Sequence, residues 1–199
     1  MSGFVRTSEA VRKAAPLHGG VVDRSCPLIA GGIPIELSVA FAASHGAIAA
    51  AFAAAAPVVA AAVIGNIATL PNITPWYESL AKPPFNPPNT VFGPVWTLLY
   101  ILMAWAFFRV LRAPEGAVRR QAITLFLVQI ALNAAWSVAF FGFHSPMVGL
   151  VVILLLDTAI AATVHAFLRI DRIAGGVLVP YLGWVAFATL LNGSIWWLN

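Results

Sequence analysis

Five long apolar runs with almost no charge inside them constrain most strongly what this chain can fold into. They lie at roughly 40–68, 93–111, 121–142, 147–168 and 174–197. Each approaches the ~20 residues that a helix needs to cross a bilayer. Only 9% of the 199 residues are charged and 61% are hydrophobic, whereas a soluble domain carries roughly 25% charge. Such a chain cannot cover a water-facing surface, so lipid is its main solvent. In lipid every backbone N–H and C=O needs an internal partner, which a helix supplies. The expected fold class is all-α: a polytopic membrane protein built as a five-transmembrane-helix bundle over residues 40–199. Residues 1–39, with Arg6, Arg12, Lys13 and Arg24, read as a polar, mobile N-terminal extension.

Between the first two runs lies Pro71–Asn89, which holds Pro71, Pro75, Pro83, Pro84, Pro87 and Pro88. That proline density predicts a stiff, non-helical loop or lid. The other connectors are short, so neighbouring helices are expected to run antiparallel. Lysine and arginine are divided sharply between the two ends of such a bundle. Four sit in the N-terminal extension, four between Arg109 and Arg120, and two more at Arg169 and Arg172; the other end has Lys82 alone. The positive-inside rule then places the N-terminus in the cytoplasm, with the proline-rich loop and the C-terminus outside.

The chain offers little conventional catalytic chemistry. It contains no nucleophile–base pair and no phosphate-binding loop. Cys26 is the single cysteine, which excludes an internal disulfide and a cysteine-based metal site. The histidines His18, His45, His144 and His165 have no ligand spacing, so no metal is expected. The basic residues form no long stripe, so nucleic acid is not an expected partner. Asp157 lies mid-span and should face other helices, either as a proton or ligand contact or as a structural hydrogen bond. His165 is about 80° around the helix from it and about 12 Å along, too far to share a metal.

Three helices carry aromatic or amide stripes. In the third run Gln129, Asn133, Trp136 and Phe140 fall within about 60° of one another and should look inward, because amides in a membrane need partners. Ala131, Ala135 and Ala139 lie opposite, a small-residue seam suited either to packing within the bundle or to a dimer. In the second run Trp96, Tyr100, Met103 and Phe107 share a face; in the fifth, Trp184, Ala188, Leu191 and Ile195 do, with Asn192 at the flank. Such stripes serve as core, or together they line a pocket for a large, flat, apolar ligand.

Specific motifs carry the argument further. The runs WYESLAKPPFNPP (Trp76–Pro88), FGPVWTLLY (Phe92–Tyr100), QIALNAAW (Gln129–Trp136) with Phe140-Phe141-Gly142, and PYLGWVAFATLLN (Pro180–Asn192) occur in that order. They resemble the signatures of the tryptophan-rich sensory protein/translocator protein family (the peripheral-type benzodiazepine receptor family) across about residues 65–197. The likeness implies a bacterial member: five membrane helices around a cavity closed by the first loop, often as a homodimer. It implies a tetrapyrrole ligand, protoporphyrin IX or haem, with no further cofactor required. The ligand-binding positions it implies are Tyr77, Pro87, Phe92, Gly93, Trp96, Asn133, Trp136, Trp184, Ala188 and Leu191. Trp96 and Trp184 match the two tryptophans tied to porphyrin breakdown in some relatives, and Asp157 matches an acidic residue of the fourth span.

The chain also departs from its relatives. Phe85, Thr90 and Ala134 stand where various members have tryptophan. Gly193 follows Asn192 with no later Lys or Arg, so the sterol motif of animal members is missing. Three functions follow as expectations: a tetrapyrrole-binding sensor or carrier, a light-dependent porphyrin-degrading enzyme, or a structural membrane subunit without a ligand. In the first two, the ring is expected beneath the Pro71–Asn89 loop. Lys82 and Tyr77 would either meet its propionates or, in the case of Lys82, anchor the loop.

Overall fold

A computed structural model describes the backbone from Ile35 to Asn199 and side chains from Gly46 onward. The expected extension therefore lies largely outside the described residues, as do Cys26 and His18. Residues 42–199 form one compact unit, and the described elements are all helical. Helix α1 spans Ile35–Asn72 and passes into a π-helical turn over Ile73–Tyr77. Helix α2 is Asn89–Leu111, and α3 is Ala117–Ser137, prolonged by a second π-helical turn over Val138–Gly142. Helix α4 is Pro146–Leu168, α5 is the short Arg172–Gly176, and α6 is Val179–Leu198. Five segments are long and apolar enough to cross a membrane, with α5 and α6 together forming the fifth. This is the expected five-helix bundle.

Two boundaries differ from those read in the sequence. The proline-rich connector is not irregular throughout, because helix continues through Pro71 to Asn72. A proline inside a helix removes one hydrogen bond and kinks it without ending it. The break comes at Thr74, whose φ of −117° and ψ of 127° are the extended conformation favoured before a proline. Apart from Thr74, non-helical backbone in the connector is confined to residues 80–88. The last span is likewise divided, by a turn at Val177-Leu178. Gly175 and Pro180 explain the division. A Cβ on Gly175 would lie 2.7 Å from the Leu168 backbone nitrogen, so only glycine lets α5 turn this tightly against the end of α4. Pro180 then opens α6 in its first turn, where its missing N–H costs nothing.

Helix α4 packs against both α3 and α6, while α2 packs on α3 and α5. The half of the bundle at the arginine-rich end is filled. Phe107, Phe126 and Phe167 stack in a row, with ring centroids 4.0 and 5.9 Å apart, and all three are buried. Met103 and Phe107 of the second-run stripe belong to this core, so that stripe is core at one end.

Asp171 organises the same end. Its carboxylate caps α5 by accepting from the Ile173 and Ala174 amides at 2.8 and 3.2 Å. It also accepts from Arg109 Nε at 2.7 Å, which ties α5 to α2. Partial burial opposes its ionisation, but the Ala174 amide, the Arg109 guanidinium and the Ile173 amide outweigh that and hold the carboxyl below its ordinary value. A group so depressed stabilises the fold above its unfolded pKa of about 3.9 and loses that contribution as the pH falls through its folded value. Asp171→Ala is therefore expected to cost about 1 kcal/mol at pH 7, mostly from the lost cap; the ion pair is partly exposed and screened. Thermal unfolding in detergent should show that difference shrinking when the pH is lowered below 4.

Candidate functional site

The other half of the bundle is hollow. A cavity of about 580 Å³ lies among α1, α2, α3 and α6, next to the π-helical turn that ends α1. Ligand sites for small molecules usually enclose roughly 300–1,000 Å³. Eight of the positions carried over from the family line it: Tyr77, Phe92, Gly93, Trp96, Trp136, Trp184, Ala188 and Leu191. Tyr100 and Ile195 line it too, so the stripes of α2 and α6 and the third-run face converge on one space. Aromatic contacts set the walls. Phe92 meets Trp184 edge-on at 5.9 Å, Trp96 leans on Tyr100 at 5.5 Å, and Trp136 stacks near Phe140 at 5.7 Å.

The wall residues are held by buried hydrogen bonds. Trp136 Nε1 donates to Asn192 Oδ1 at 3.0 Å, and Asn192 Nδ2 donates to the Pro146 carbonyl at 2.7 Å. Gly149 makes room for this junction, since a Cβ there would lie 3.0 Å from both Asn192 Oδ1 and Phe140 Cβ. Behind the cavity, Tyr100 OH donates to Asn133 Oδ1 at 3.0 Å and Asn133 Nδ2 donates to Tyr181 OH at 3.2 Å. Tyr181 OH in turn donates to Gln129 Oε1 at 3.0 Å.

Two of the carried-over positions, Asn133 and Pro87, stand outside the lining. Asn133 does not line the cavity; it is 2% exposed and both ends of its amide are spent between Tyr100 and Tyr181. Pro87 is also outside the lining, in the stretch of loop that leads into α2. Lys82 does not line the cavity either. Its ammonium donates to the Glu78 and Leu80 carbonyls, both at 3.1 Å, and lies over the Tyr77 ring at 4.7 Å. These contacts tie the Lys82 ammonium to its own segment of chain. Tyr77 OH donates to Asn86 Oδ1 at 3.1 Å, so the hydroxyl expected to meet a propionate is engaged by the loop.

Asp157 lies at the contact of α4 with α6, away from the cavity, and accepts from Thr189 Oγ1 at 2.7 Å. The structural reading of this residue is the one the geometry carries. His165 faces outward. Ala131 and Ala135 face outward as well, but Ala139 is 4% exposed and buried. At 3.6 residues per turn each four-residue step drifts by about 40°, which carries Ala139 about 80° around the helix from Ala131.

Sequence reasoning missed the α1 wall. Ala62, Gly65, Asn66, Thr69, Leu70 and Ile73 all line the cavity. The Ala-rich run showed no stripe, but Gly65 and Asn66 interrupting it were an available signal. A Cβ on Gly65 would come 3.2 Å from Ser137 Oγ, so the glycine brings α1 close to α3 at the cavity edge.

The helices and the cavity define a five-span helical membrane protein with an aromatic internal pocket. The chain belongs to the TspO/MBR family, whose model matches residues 53–198. It is 45% identical to the tryptophan-rich protein TspO of Chlorobaculum tepidum, over 62% of this chain and 79% of that protein. It is 39% identical to the tryptophan-rich protein TspO of Archaeoglobus fulgidus, over 71% and 92%. It is 40% identical to the human translocator protein, over 61% and 73%.

Proposed function

We propose that this protein is a membrane tetrapyrrole-binding sensor or carrier that takes protoporphyrin IX or haem into the cavity and so regulates porphyrin, pigment or stress metabolism. One observation carries the reading: Phe92, Trp96, Trp136, Phe140 and Trp184 surround a single space of suitable size. A flat apolar ring gains both area burial and stacking there. Trp96 and Trp184 on the same space also support a second reading, light-dependent breakdown of the bound porphyrin through an oxidised indole. Titrating the detergent-solubilised protein with protoporphyrin IX while following absorbance and tryptophan quenching, in the dark and under illumination, tests both. Saturable quenching in the dark supports binding, and bleaching that depends on light and on the protein adds catalysis. Absence of both leaves a structural subunit.

Membrane placement follows from the same charge pattern. The arginine-rich end is cytoplasmic and the loop with Lys82 is outside. A C-terminal alkaline phosphatase fusion is expected to be active and an N-terminal one inactive; the reverse overturns the orientation. The protein acts as a homodimer through the outward-facing Ala131 and Ala135, where small side chains permit close helix approach. Ala135→Leu is expected to lower the yield of cross-linked dimer. An unchanged yield moves the interface elsewhere.

A further inference from the structure

The cavity is walled by α3 and α6 on one side and by α1 and α2 on the other. Toward α3 and α6 its wall is locked by the Trp136–Asn192–Pro146 hydrogen bonds. The loop that follows Tyr77 is latched to the end of α6. Ala81 N–H donates to Asn199 Oδ1 at 3.0 Å, and Asn199 Nδ2 donates back to the Ala81 carbonyl at 3.1 Å. The Tyr77–Asn86 bond and the Lys82 contacts hold the same segment. The remaining wall is the seam of α1 with α2. Helix α1 is the least enclosed span, with 17% of its apolar window buried against 39% in α3 and α4.

At this seam Leu70 of α1 and Ile101 of α2 line the cavity and are 63% and 61% exposed. Asn66 and Thr97, each four residues earlier on its helix, also line the cavity and are exposed. A residue that touches both a cavity and the surroundings of the bundle marks a rim. Here the surroundings are the hydrocarbon of the bilayer. The rim is about one helical turn long on each helix, apolar at Leu70 and Ile101 and polar at Asn66 and Thr97.

We propose that this seam is the ligand's portal: a flat, apolar molecule with polar edges, already dissolved in the bilayer, slides edge-on between α1 and α2 while the loop stays latched. The proposal rests on the reading of the cavity as a ligand site. It predicts kinetics that equilibrium affinity does not reveal, because narrowing a passage slows entry and exit together.

The test uses the full chain reconstituted in phosphatidylcholine vesicles, with protoporphyrin IX added in the dark and tryptophan quenching followed by stopped flow. Leu70→Trp and Ile101→Trp are expected to slow association and dissociation together, each by about tenfold, so that affinity moves far less than either rate. Leu70→Ala is expected to speed both, and decides the matter if a tryptophan variant fails to fold. Asn199→Ala, which removes the loop's hydrogen bonds to the end of α6, is expected to leave both rates near wild type. Faster exchange in Asn199→Ala with unaltered rates in the Leu70 and Ile101 variants overturns the portal and puts entry under the loop. If the wild-type protein shows no saturable quenching at all, the ligand reading itself fails, an outcome distinct from a wrong route.

Discussion

Trp96→Ala and Trp184→Ala are each expected to weaken protoporphyrin IX binding by roughly 2- to 12-fold. Stacking on an aromatic face is worth about 0.5–1.5 kcal/mol beyond burial, and 1.4 kcal/mol is tenfold in affinity. The geometry makes both residues direct walls: Trp96 lines the cavity beside Tyr100, and Trp184 lines it against Phe92. The phenylalanine variants separate binding from chemistry. Trp96→Phe and Trp184→Phe retain a stacking face, so binding changes little, but a phenyl ring is much harder to oxidise than an indole. If the protein degrades porphyrin, light-dependent bleaching is expected to be abolished in both while dark affinity is largely kept. Affinity from dark titration and rate from bleaching at fixed irradiance measure the two effects on the same samples. Wild-type bleaching in both phenylalanine variants removes the catalytic assignment. Unaltered affinity in both alanine variants removes the pocket.

The sequence carried the bundle clearly and the cavity only in part. Span number follows from apolar length, which is dictated by bilayer thickness and hardly depends on tertiary detail. The facing stripes of α2, α3 and α6 were legible because polar and aromatic residues at helical spacing stand out against an aliphatic background. Three things were not legible, each for a local reason. The α1 wall is built of Ala62, Gly65, Asn66 and Thr69, whose small side chains give no periodic signal in an Ala-rich run. Ala139 left the seam because a four-residue repeat drifts by about 40° per step on a helix of 3.6 residues per turn, so three members do not share one face. Lys82 was a candidate partner for propionates because it is the sole cation at its end. Backbone carbonyls three-dimensionally close to its ammonium took that role, and spacing along a chain does not expose such a competitor.

Asn133→Leu is expected to destabilise the bundle by about 1–3 kcal/mol, because two buried hydrogen bonds are lost and their partners stay buried. Asn133 accepts from Tyr100 of α2 and donates to Tyr181 of α6, so one side chain on α3 joins three helices. Leucine fills a similar volume, which isolates the polar loss from a cavity. Interhelical hydrogen bonds in membranes average only about 0.6 kcal/mol in measured cycles, since the separated helices also find partners; two such bonds set the lower end of the range. Gln129→Leu gives the internal comparison. Gln129 accepts from Tyr181, while its Nε2 has no partner among the described residues, so its removal breaks one bond and relieves one unmet donor. The expected order of unfolding midpoints in detergent is wild type, then Gln129→Leu, then Asn133→Leu. Equal loss in the two variants indicates that the network contributes little beyond packing. Porphyrin affinity measured on the same variants separates support from contact. Asn133 stands behind Tyr100, outside the cavity lining, so weaker binding in Asn133→Leu should accompany its loss of stability and largely return in Asn133→Gln, which restores an amide with one more methylene. Weaker binding with stability intact means that the amide reaches the ligand directly, and that the Tyr100–Asn133 bond opens when the cavity is occupied.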